Sequence, residues 1–132
     1  EGLMLYNSGA YAAAIPPLTQ AVQALTARTE QVADVRFVLA DALAREQRFA
    51  EAAPLFQAEI ATFPHHIRAR TGLAMVFWTT GRRAEAMATV QALETEGRRH
   101  AGVEADVAAA QLWTLFGEPA RAAAARTRAG LR

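Results

Sequence analysis

The feature that most restricts this chain is an internal repeat. Leu43 is followed nine residues later by Ala52, and four residues after that by Phe56. Phe77 leads at the same spacings to Ala86 and Val90, Leu5 to Ala14 and Leu18, and Trp113 to Ala122 and Arg126. A turn-prone residue stands four places after each first member: Gly9, Gln47, Gly81 and Gly117. Successive units are offset by 38, 34 and 36 residues. Such a period means one supersecondary unit used repeatedly, each copy burying its apolar face against its neighbours.

The unit is helical. Turn signals fall at Ser8-Gly9, Thr80-Gly81, Phe116-Gly117 and Glu96-Gly97, with a weaker one at Glu46-Gln47. The segments between them run about 12 to 16 residues, long enough for helices and too long for ordinary strands. Alanine supplies 33 of the 132 residues, and only 36 are bulky and apolar. That composition favours helix but not a thick central core. Small residues such as Ala40, Ala52, Ala74 and Ala86 let two antiparallel helices approach closely, while bulky ones fill the space between hairpins. The expectation is an all-α chain of seven or eight short helices. Pro16 and Pro54 should fall early in second helices, where the first N–H groups lack acceptors, and Pro17 should bend its helix.

This pattern resembles the tetratricopeptide repeat, whose unit reads W-x2-L-G-x2-Y, then A-x3-F, then P. Leu39, Ala40, Leu43, Ala52, Phe56 and Pro64 occupy those positions in the second unit. Leu73, Ala74, Phe77, Gly81, Ala86 and Val90 do so in the third, with Arg98 in place of proline. The first unit keeps Gly2, Leu5, Gly9, Tyr11, Ala14, Leu18 and Ala21; the fourth keeps Ala109, Ala110, Trp113, Gly117, Ala122 and Ala129. The resemblance implies a right-handed superhelical solenoid of antiparallel helix pairs. It would be one domain over residues 1–132, in units near 1–28, 33–66, 67–100 and 103–132.

Much chemistry is absent. There is no cysteine for a thiol nucleophile or thiolate zinc site, and no lysine for a Schiff base or phosphate-binding loop. Ser8 sits in a helix-ending turn without the elbow of a serine hydrolase. The pairs Asp34/Asp41 and Glu94/Glu96 read as solvated helix charges. His65 and His66 follow Pro64 in one inter-repeat loop and His100 lies in another, without a recognised ligand spacing. The reading is therefore of a non-enzyme with no metal and no cofactor. A net charge of +1 gives no nucleic-acid footprint, and no apolar run approaches the roughly 18 residues of a membrane span.

What the resemblance implies about function lies on the first helices of the units, whose concave face commonly holds ligand peptides. The matching positions are Leu3, Tyr6 and Asn7 in unit one and Asp34, Phe37, Asp41, Ala44 and Arg45 in unit two. They are Arg68, Thr71, Met75, Trp78 and Thr79 in unit three, and Glu104, Val107, Gln111, Thr114 and Leu115 in unit four. Tyr6, Phe37, Met75 and Trp78 would form an apolar stripe, bordered by Asn7, Asp34, Asp41, Arg45, Arg68, Thr71 and Gln111; the alternative is that Phe37 and Trp78 pack between hairpins. A protein or peptide ligand is the implied partner. The lysine-and-asparagine clamp that some relatives place on a C-terminal carboxylate has no counterpart, because lysine is absent and Asp41 holds one such position.

The alternative is self-assembly or scaffolding within a larger bacterial protein. Residues 1–66 hold four arginines and seven acids, and residues 67–132 ten and six, giving −3 and +4. Oppositely charged ends could meet head to tail. Arginine clusters at Arg82-Arg83, at Arg98-Arg99 and along Arg121, Arg126, Arg128 and Arg132. Glu1 in place of methionine suggests a piece of something longer, and Leu3, Met4 and Leu5 predict an N-terminal edge covered by adjoining repeats or a partner subunit.

Overall fold

The computed structural model describes residues 1–131, apart from the side chain of Ala101. Arg132, counted in the C-terminal arginine cluster, lies outside the described residues. Among these are eight α-helices and no strand: α1 (Gly2–Asn7), α2 (Tyr11–Ala27), α3 (Val35–Arg45), α4 (Phe49–Thr62), α5 (Ile67–Thr79), α6 (Arg83–Glu96), α7 (Val103–Leu115) and α8 (Pro119–Arg128). A π-helical turn, Gly97–Ala101, extends α6. Two compact units divide the chain, Glu1–Phe63 and Pro64–Arg132. The first holds the hairpins α1–α2 and α3–α4, with α2 packed on α3. The second holds α5–α6 and α7–α8, with α5 and α6 both packed on α7.

One turn closes all four hairpins. In α3–α4 the Arg48 N–H donates to the Leu43 carbonyl (2.8 Å) and the Gln47 N–H to the Ala44 carbonyl (3.0 Å). Leu5, Phe77 and Trp113 accept in the same way from Ala10, Arg82 and Glu118. This pairing satisfies the orphan carbonyls of a helix end and needs a left-handed residue at its centre. Gly9, Gly81 and Gly117 fill that place with φ between 73° and 85°, and Gln47 fills it at φ 61°. The repeat lead residue and the turn residue four places later are thus two parts of one hydrogen-bonded motif.

The same period organises the core. Leu39, Ala40, Leu43, Ala52 and Phe56 are buried in the first unit, and Leu73, Ala74, Phe77, Ala86 and Val90 in the second. Trp113 is fully buried, with Ala109, Ala110 and Ala122 around it in the sequence pattern. Burying a Leu, Phe or Val side chain contributes roughly 1.5–3 kcal/mol, and the alanines bring backbones close enough to do so.

Two local expectations are corrected. Glu96-Gly97 is not a turn, because Gly97 keeps a helical φ of −61° and the chain reverses at Gly102, φ 54°. Gly97 is needed for close approach instead: a Cβ there would sit 2.1 Å from Ala105 Cβ on α7. Pro16, Pro17 and Pro54 lie in the second turn of α2 and α4, not at their start. The carbonyls left unbonded four residues earlier belong to Ala12, Ala13 and Ala50, all exposed, so water can take them. Among the described residues no helix is long and apolar enough to cross a membrane.

Candidate functional site

In the first unit the structure brings together three of the sequence-selected residues. The Tyr6 hydroxyl donates to Asp41 Oδ2 at 2.6 Å, and Arg45 Nε donates to the same oxygen at 2.9 Å. The Asp41 bond, reinforced by its charge, raises the Arg45 pKa above its ordinary value. Tyr11, which the sequence reading did not select, completes the group. Its ring meets that of Tyr6 edge-on at 5.6 Å and lies 4.8 Å beneath the Arg45 guanidinium. Asn7, at the end of α1, is exposed.

Phe37 is a correction. The sequence places it in the ligand-facing stripe, but it is 3% exposed and packs against Phe56, ring centres 6.0 Å apart. Its N–H donates to Oε1 of Glu59 at 3.0 Å. Glu59 is itself buried, and its carboxylate satisfies a donor in the first turn of α3, where negative charge is favoured by the helix dipole. Asp34, the residue preceding α3, is exposed at φ 73° and makes no cap bond with its side chain. Glu59 stands 22 residues from the group it caps, so no local sequence signal pointed to it.

The second unit presents a different face. Met75 on α5 is 36% exposed and Leu115 on α7 is 53% exposed. Trp78, half-buried, stacks on Phe116 at 4.2 Å with an interplanar angle of 11°, and the Arg83 guanidinium covers it at 4.5 Å. The stacked ring and the cation together fix the orientation of the indole. Arg68 and Gln111 are exposed and Thr71 is half-buried. Helical spacing sets Thr71, Met75 and Trp78 along one face of α5, and Gln111 and Leu115 along one face of α7.

A third grouping was not anticipated. His65, Glu96 and His100 come together in the second unit although 35 residues separate the first from the last. His66, in contrast, is taken up structurally: its Nδ1 accepts the Ala69 N–H at 3.1 Å and caps α5. The N-terminal edge of the first unit, expected to be uncovered, has Leu3 and Met4 at 55% and 77% exposure. Beside it is a groove of about 420 Å³ lined by Leu3, Pro17, Leu18, Ala21, Val35 and Val38, among others.

These hairpins and the turn between their helices are those of a known repeat. The family model described as "Tetratricopeptide repeat" matches residues 43–111, just over half of the chain. The chain belongs to the tetratricopeptide repeat (TPR) family. No curated protein sequence matches it. Solved structures do: YrrB, described as a TPR protein with an unusual peptide-binding site, has TM-score 0.67 at 18% identity, over 97% of this chain and 63% of YrrB. MamA MSR-1 has TM-score 0.66 at 18% identity, over 98% of this chain and 71% of its own. MamA AMB-1 has TM-score 0.55 at 17% identity, over 98% and 86%. The chain therefore spans under two thirds of YrrB's length.

TPR proteins are in general protein–protein interaction modules. In TPR terms, α1, α3, α5 and α7 are the first helices of four repeats and α2, α4, α6 and α8 the second. The selected residues thus sit on first helices or at their ends. The first unit's polar group is already bonded internally, whereas in the second unit Met75 and Leu115 leave apolar surface open to solvent.

Proposed function

We propose that this TPR domain binds a protein segment through its first helices, with an apolar side chain of the ligand seated on the Met75, Trp78 and Leu115 face. The observation that carries this reading is the exposure of Met75 and Leu115 on the two packed first helices that also carry the clamped Trp78–Phe116 pair. Large apolar groups held rigid and partly open to solvent are what binding hot spots are made of, because little conformational freedom is lost on contact. Arg68, Thr71 and Gln111 would supply hydrogen bonds that set register. In the first unit Tyr6, Asn7, Asp34, Asp41 and Arg45 offer a polar surface suited to orientation rather than affinity. YrrB provides a precedent for a peptide ligand on this fold.

The test is selection of binders from a displayed random-peptide library, followed by fluorescence anisotropy with single variants. Met75→Ala, Leu115→Ala or Trp78→Ala should weaken the selected peptides about tenfold or more, the scale of hot-spot truncation. Equal binding by all three folded variants would overturn the reading.

A further inference from the structure

Three potential metal ligands converge at one edge of the second unit. His65 Nδ1 lies 3.4 Å from Glu96 Oε2. The His65 and His100 rings are 3.7 Å apart, inclined by 36°. One ligand atom from each of the three residues falls within 4.8 Å of the others. A tetrahedral zinc ion, with bonds of about 2.0–2.1 Å, spaces its ligand atoms by roughly 3.4 Å. The histidine–carboxylate edge already has that length, and the two imidazoles are both exposed.

The backbone beneath these side chains is held from both sides. His65 lies in the connection preceding α5, where Arg70 Nε donates to the Pro64 carbonyl at 3.0 Å. Glu96 immediately precedes the π-helical turn and His100 lies within it, and Gly97 seats that turn directly on Ala105 of α7. A π-helical segment is a rare interruption, and such segments occur frequently at functional sites. Here it carries His100 toward His65. None of the three residues belongs to the first-helix face on which ligand binding is proposed.

We propose that His65, Glu96 and His100 form a binding site for a divalent transition-metal ion of the zinc class. Two imidazoles and one carboxylate are the donor set that suits zinc, cobalt and nickel, whereas magnesium and calcium require oxygen ligands. Three protein ligands leave a fourth position open to water or to a donor from a partner. The ion would join the connection before α5 to the end of α6, so it would stabilise the second unit by mass action.

Zinc binding by the full chain, measured by calorimetry with cobalt absorption as a second readout, tests this. The expected result is one ion per chain. His65→Ala and His100→Ala should each weaken it by at least about the tenfold that loss of even an outer partner costs a metal site. Glu96→Gln should weaken it as well. His66→Asn should leave it unchanged, since asparagine keeps a cap on α5 and supplies no imidazole. Circular dichroism would establish that each variant keeps its helices. Absence of saturable binding, or equal binding by the folded His65→Ala and His100→Ala variants, would overturn the proposal. So would an equal loss in His66→Asn.

Discussion

The helices α3 and α5 occupy equivalent places in consecutive repeats, 34 residues apart, yet they solve different problems. Position for position, Phe37 is matched by Thr71, Asp41 by Met75 and Ala44 by Trp78. In α3 the aromatic is buried and the carboxylate is satisfied by Tyr6 and Arg45. In α5 the thioether is exposed and the indole is clamped but half-open. One repeat frame thus yields a face whose polar groups bond to one another and another whose apolar side chains are open to solvent. The consequence is that truncation in α3 should cost stability, whereas truncation in α5 should cost binding.

The sharpest way to break this contrast is at Phe37. Phe37→Ala should destabilise the protein by about 3–5 kcal/mol in urea unfolding, because it empties a packed aromatic site. Met75→Ala should change stability by no more than about 0.5 kcal/mol. Next comes Glu59→Ala, which leaves the buried Phe37 N–H without an acceptor and should cost about 1–3 kcal/mol. Tyr6→Phe removes only the hydroxyl that donates to Asp41, so a loss near 1 kcal/mol is expected by the same assay. One further effect should have the opposite sign. Gln47→Gly relieves a left-handed side chain in the one hairpin turn of the four that lacks glycine, and should raise stability by about 0.5–1 kcal/mol.

The hairpin frame was legible in the sequence because its determinants are local. The lead residue, the turn residue four places on, and the Ala-x3-Phe pair all act within one repeat, so spacing alone located them. What spacing could not give was the partner across a hairpin. Phe37 falls on a ligand-facing position by register, but Phe56 and Glu59 on α4 draw it into the core. Tyr11 follows the turn that Gly9 makes and marks a repeat position, though it also completes the Tyr6–Asp41–Arg45 group. Gly97 suggests a turn because conformational freedom is the commoner reason for a glycine; here the reason is the close approach of Ala105. The metal-ligand grouping was hidden for a related cause. His66 and His100 are one 34-residue repeat apart, which signals neighbouring connections, but it is His65 that reaches Glu96 and His100 while His66 caps a helix.

Ligand seating on the second unit's first helices is the central claim, and methionine methyl resonances test it most directly. The chain has three methionines, Met4, Met75 and Met87, so a spectrum labelled at these methyls is simple to assign. Titration with a library-selected peptide should shift the Met75 methyl in proportion to saturation and leave Met4, on the exposed N-terminal edge, unmoved. A saturating titration that shifts Met4, or leaves Met75 unchanged, would contradict the account.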